Sequence, residues 1–265
     1  MRAALAALLA ASCLACGAIS HAAEPRAGAG ATAPVHLVML AERMAKLHAQ
    51  IGQGVLAERS RRDLAQAERD FDATLRAVSA QAAKPEDRDN YLLLAALWRA
   101  HREFLARAPS RETARQMRER TEELAWIAQK GVRMGQAEAR GATNAGAFRA
   151  AQAGVLAQRM AKACLWRRWG MRDEKLDKER RDAEENLERV LASLKSGRGT
   201  SDEIESELQS AQTQLGFLRQ GAKDLEAKGP PAQAIEYVAK SADHILQSME
   251  RVERLYAEGP PTAGS

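Results

Sequence analysis

Cysteine is almost missing from this chain: there are three, and two of them, Cys13 and Cys16, fall within an apolar N-terminal segment. Cys164 then stands alone, so the remainder can form no internal disulfide in an oxidising compartment and its stability has to come from packing. Aromatic residues make up 4% of the sequence, and the aromatic and β-branched clusters that build sheets are missing. Beyond the N-terminal segment no long apolar run occurs, because charges recur every few residues from Glu42 to Glu258, which excludes a bilayer-spanning helix there. Nor is one sign of charge in large excess. Forty Lys and Arg face 35 Asp and Glu, for a net charge of +5, and the two signs are interspersed, so the basic pI does not mark a nucleic-acid-binding surface and no nucleic-acid partner is expected.

Catalytic patterns are missing as well. The sequence has no Gly-x-Ser-x-Gly elbow, no phosphate-cradling Gly-Lys-Ser/Thr loop and no His-Glu-x-x-His pair. His36 and His48 are spaced so that a helix turns them onto different faces, and His101 and His244 have no histidine or cysteine at ligand spacing. The expectation is a non-enzymatic protein with no catalytic residues, no metal site and no cofactor.

At the N-terminus, Arg2 precedes an apolar run from Ala3 to Ala11 that continues through Leu14, Ala15 and Ile19, and the small residues Ser20 and Ala22 fit a signal-peptidase site. Residues 1–22 therefore read as a secretory signal peptide, with 23–33 a flexible mature N-terminus and the periplasm as destination. The alternative is lipid attachment at Cys13 or Cys16, giving a lipid-anchored envelope protein.

What is abundant is Ala, Leu, Arg, Glu and Gln, which favours long helices with solvated faces. In the first segment Leu37, Leu40, Met44, Leu47, Ile51 and Val55 recur at steps of three and four, one stripe of one helix. Breaks at Lys84-Pro85, Ala108-Pro109-Ser110, Gly135 to Gly146, Gly197-Arg198-Gly199 and Gly229-Pro230-Pro231 divide the rest into further helices. They are expected at about 59–80, 86–107, 110–134, 148–170, 172–195, 202–228 and 232–258. Ser110 is placed as an N-cap, and Thr200 with Glu203 has the form of a capping box.

The chain also repeats itself. At an offset of 116 residues, Leu40-Ala41-Glu42-Arg43-Met44-Ala45-Lys46 aligns with Leu156-Ala157-Gln158-Arg159-Met160-Ala161-Lys162, and only the Glu/Gln position differs. In the same register Glu68 pairs with Glu184, Phe71 with Leu187 and Leu75 with Leu191, which argues for duplication. The expected architecture is all-α: a four-helix bundle over 34–138, a Gly-rich linker over 139–147, a second bundle over 148–258 and a disordered tail over 259–265, each bundle with its own core.

The repeated element is the feature with chemical character. Arg43 with Lys46, and Arg159 with Lys162, lie one turn apart and set a double positive charge along a helix edge that can hold an anion. The same spacing suits solvated flanks whose stems cover core residues. Trp166-Arg167-Arg168-Trp169 suits either a membrane surface or partner, or packing at a basic helix C-terminus.

These segments, with Met39 and Val155 in front, resemble the signature of PilJ/NarX-type sensory domains, which reads approximately Arg-Met-Leu-Ser-Gln-Arg-Met-Ala-Lys. The resemblance implies periplasmic four-helix bundles of the kind found at the N-termini of type IV pilus chemotaxis transducers and nitrate/nitrite sensors. Arg43 and Arg159 match the second arginine of the signature. The first, which in nitrate sensors contacts the anion from two subunits, is replaced by Val38 and Gly154, so nitrate is not carried over as the ligand. If the halves pack as the family's dimers do, the first helices lie side by side and Arg43, Lys46, Arg159 and Lys162 line a shared seam. The functional expectation is a free-standing periplasmic sensory or ligand-binding protein, its partners a small anion and a membrane-bound signalling or envelope protein. The alternative is a structural scaffold that binds another envelope protein and no small molecule.

Overall fold

The computed structural model describes residues 30–136, 142–197, 200–227 and 233–258. The expected signal peptide (1–22), most of the expected flexible N-terminus and the expected tail (259–265) lie outside the described residues. Among those described the fold is all-helical. Helix α1 spans Ala33–Gly52, α2 Ala57–Gln81, α3 Pro85–Leu105, α4 Arg111–Gln136, α5 Ala142–Arg168, α6 Glu174–Lys195, α7 Asp202–Asp224 and α8 Ala234–Glu258. None is long and apolar enough to cross a membrane.

Helix α1 packs against α2 and α4, and α3 pairs with α4; α5 packs against α6 and α8, and α7 pairs with α8. The α1–α5 contact joins these sets. Their apolar interiors are continuous at the junction: the cluster around Leu37, Leu47, Phe71 and Phe104 extends to Val155, Leu165 and Trp166 of α5 and to Ile235 and Leu246 of α8. Two central helices explain this continuity. Most positions of α1 are buried on every side, including Glu42, Lys46, His48 and Gln50. Along α5 a run of alanines at 150, 153, 157, 161 and 163 is buried too. A helix buried all round is a core helix rather than a surface one, and small side chains let neighbouring backbones approach closely. Helices α2 and α6 bury one stripe each, Leu64, Phe71, Leu75 and Val78 in one, Leu187, Leu191 and Leu194 in the other.

Three expectations need correction. Helix α1 begins at Ala33, with Pro34 in its first turn, where the missing N–H of proline costs nothing, so residue 33 belongs to the helix and not to the flexible N-terminus. Helix α5 begins at Ala142, so 142–147 is helical and not linker. Gly146, read as a break, is a packing residue: a Cβ there would stand 2.6 Å from the Tyr256 ring. At the start of α7 the cap is Ser201, whose hydroxyl accepts from the Ile204 N–H at 3.3 Å, while Thr200 donates to the Gly197 carbonyl. Ser110 does cap α4, accepting from the Thr113 N–H at 3.1 Å.

Candidate functional site

Helices α1 and α5 run parallel, and their contacts keep close to the repeat offset. The Gln53 side chain donates to the Leu165 carbonyl at 3.0 Å, Glu42 meets Arg159, and a Cβ on Gly52 would overlap the Trp169 ring. Parallel packing in this register sets the two copies of the motif against each other, with α8 flanking α1 and α6 flanking α5.

The four motif cations differ sharply in surroundings. Lys162, 1% exposed, places Nζ 2.6 Å from Glu42 Oε2 and 2.6 Å from Glu179 Oε1 on α6, and its ammonium lies 4.8 Å from the Trp166 ring centre. Arg159 donates from Nε to Glu42 Oε1 at 2.8 Å and remains 30% exposed. Its terminal amino groups make no hydrogen bond to a described residue. Lys46 is fully buried and ion-paired with Asp243 of α8. Arg43 is partly buried, its Nε has no hydrogen-bond partner, and no carboxylate among the described residues lies within ion-pairing distance of it.

The asymmetry follows from the single difference between the two motif copies. Glu42 faces Arg159 and Lys162; its counterpart Gln158 is an uncharged amide that donates to the Ala242 carbonyl at 3.0 Å and leaves its own oxygen unpartnered. Glu42 and Glu179 thus pair with Arg159 and Lys162, and Asp243 with Lys46, whereas Arg43 acts on Asp243 only at longer range. Burial would raise the Glu42 carboxyl, but Arg159 and Lys162 outweigh it and bring it down to about 2. Glu42 in turn pushes the Arg159 guanidinium up against the opposing effect of burial. Burial pushes Lys46 down, with Asp243 offsetting part of the effect, while Lys46 and Arg43 hold Asp243 below the usual carboxylate range despite its burial.

Beside Arg159 a cavity of about 220 Å³ opens between α1, α4, α5 and α6. Val35, Val132, Val155, Leu156 and Val190 form its apolar wall, and Gln129, Gln152, Asn186 and Arg159 its polar side.

Sequence reasoning placed the motif cations but missed the residues that neutralise three of them. One signal was present: Asp63 and Glu179 occupy equivalent positions of the repeat, and Asp63 raises the Lys46 pKa as Glu179 pairs with Lys162. Asp243 has no matching mark. The two tryptophans of the Trp166–Trp169 segment are packed inward, Trp166 fully buried and Trp169 9% exposed, while Arg167 pairs with Asp177 and the exposed Arg168 donates to Gln53 at 3.1 Å.

The histidines separate as their spacing implies. His36 meets Glu253 at 2.8 Å, and that carboxylate raises its pKa against burial. His48 and His101 are buried with no hydrogen-bond partner on either ring nitrogen, and burial lowers them to about 4 and about 3. Cys164 is buried and pushed up to about 12, which leaves it inert as a nucleophile. No group of three or more metal-ligating side chains is assembled among the described residues. What the seam offers chemically is charge and hydrogen-bond donors. In comparison with known proteins, the chain matches no family model, no curated protein and no solved structure.

Proposed function

We propose that this is a non-enzymatic periplasmic ligand-binding protein of the PilJ/NarX sensory type. In this reading its two duplicated bundles meet at the α1–α5 seam, the seam takes up a small anion, and the bound state is passed to a membrane-bound partner. The observation that carries the reading is a pair of incompletely engaged guanidiniums. With Gln158 in the place of a second Glu42, Arg43 has no carboxylate within ion-pairing distance among the described residues, and Arg159 keeps its terminal amino groups unspent toward them. A guanidinium held in a partly dehydrated setting is suited to a carboxylate or oxyanion.

Thermal unfolding in the presence of nitrate, phosphate and acetate tests it. An anion at 100 times its dissociation constant stabilises the fold by ~2.7 kcal/mol. That gain should disappear in Arg43→Gln or Arg159→Gln with far-UV circular dichroism unchanged. No stabilisation by any anion would remove the reading.

A scaffold role has its own support in side chains left at the surface, among them Leu92 at 69%, Trp126 at 62%, Phe217 at 56% and Tyr237 at 54% exposure. It predicts capture of an envelope protein through those residues and no response to small anions.

A further inference from the structure

The cavity beside Arg159 has two sides of different chemistry. Its apolar wall combines Val35, Val132 and Val155, all nearly buried, with Leu156 and Val190. Facing them are groups with hydrogen bonds still to make: the terminal amino groups of Arg159 and the amides of Gln129 and Gln152, none of which bonds to a described residue. Asn186 is already engaged, donating to the Asp182 carbonyl and accepting from Arg189. Branched aliphatic side chains on one side and a guanidinium with two amides on the other select a molecule that is hydrocarbon at one end and anionic at the other. At about 220 Å³ the space suits a body of a few carbon atoms.

The other half of the repeat supports the charge assignment. Gln152 corresponds to His36, and there the space is closed by the protein itself: Glu253 of α8 accepts from His36 at 2.8 Å and from the Thr32 hydroxyl at 2.7 Å. One half thus holds an internal carboxylate at this level of the seam, while the other presents donors and a cavity.

We propose that the cavity between α1, α4, α5 and α6 binds a short, branched aliphatic carboxylate. Arg159 and Gln152 would hold the carboxylate, and Val132, Val155 and Val190 would enclose the branched end. This rests on the seam being the ligand site, and it adds the ligand class.

Isothermal titration of the purified protein with isovalerate, its neutral analogue isovaleramide, and nitrate tests the assignment. Isovalerate should bind, and isovaleramide at least about tenfold more weakly, since the neutral amide forfeits the charge-assisted hydrogen bonds to Arg159. Gln152→Glu adds a near-isosteric carboxylate that pairs with Arg159, and Val190→Trp fills the cavity from its half-buried side. Each should weaken isovalerate binding about tenfold or more while the circular dichroism stays that of the parent. If nitrate binds in a manner that depends on Arg43 and isovalerate does not bind, the cavity assignment falls and the seam reading stands. If isovalerate does not bind and nitrate, phosphate and acetate all leave the protein unstabilised, both fall. Isovalerate binding that survives Gln152→Glu and Val190→Trp unchanged would overturn the cavity as its site.

Discussion

Acidification between pH 6.5 and 5 should weaken this fold through two buried histidines that have no carboxylate partner, one of them also disfavoured as a cation by Arg120. His48 and His101 are buried at 0% and 1% exposure, among Phe104 and Trp169 in one case and beside Trp98 in the other. Desolvation lowers them to about 4 and about 3 from an ordinary value of 6.5. Both are neutral in the fold. As the pH drops below 6.5, the unfolded chain takes up protons on these side chains and the folded chain does not, so stability is intact above 6.5 and is lost on the way down to the folded values. Each histidine removes about 1.4 kcal/mol per pH unit, so at pH 5 the pair together costs ~4 kcal/mol, a large share of the 5–15 kcal/mol typical of a domain. The Glu42 contribution is present above about 4.5 and is lost only as the pH falls toward about 2, whereas His36, raised by Glu253 against burial, contributes stability below 6.5 that is lost as the pH rises through its folded value, and so opposes the two buried histidines. The measurement is the free energy of urea unfolding at pH 7.5, 6.5, 5.5 and 5 for the parent and for His48→Leu/His101→Phe. The parent should lose ~4 kcal/mol relative to the double variant, which keeps only the opposite, stabilising response of His36. Equal losses in both would refute the argument.

Three further outcomes follow from the seam and its packing. Glu42→Gln leaves Lys162 and Arg159 to share Glu179 in a buried setting, and breaking such a pair should cost about 3–5 kcal/mol in urea unfolding at pH 7.5; a loss below about 1 kcal/mol would mean that the seam ions are solvated. Gly52→Ala drives a methyl into Trp169 and to 2.9 Å from the Pro109 Cβ, so despite the better helix propensity of alanine the melting temperature should fall, by an amount equivalent to about 1–3 kcal/mol. Cys164 should react with a disulfide-exchange dye at pH 8 only in denaturant, because burial holds its thiol protonated; rapid labelling of the native protein would contradict the packing of α5.

The Arg-Met-x-Lys repeat, found at an offset of 116 residues, also describes the parallel register in which α1 and α5 meet, from Glu42–Arg159 to Gln53–Leu165. Local signals failed where glycine was taken for a break. Gly146 was read as part of a break, yet it lies within α5, where the Tyr256 ring occupies the place a Cβ would take and only glycine fits. The partner of Lys46 was equally hidden, since Asp243 comes from a distant helix at a position the repeat does not mark.

By itself the sequence determined the all-helical class, the placement of most helices within a few residues and the correspondence of the motif copies at an offset of 116 residues. Periodicity, capping residues and self-similarity are local properties, legible along one chain. Only the tertiary structure decided that Lys46 and Lys162 are buried and ion-paired rather than solvated, and that no carboxylate of the described residues comes within ion-pairing distance of Arg43. The environment of a charge is set by helices from elsewhere in the chain that close around it, and no spacing within one helix encodes which carboxylates they bring.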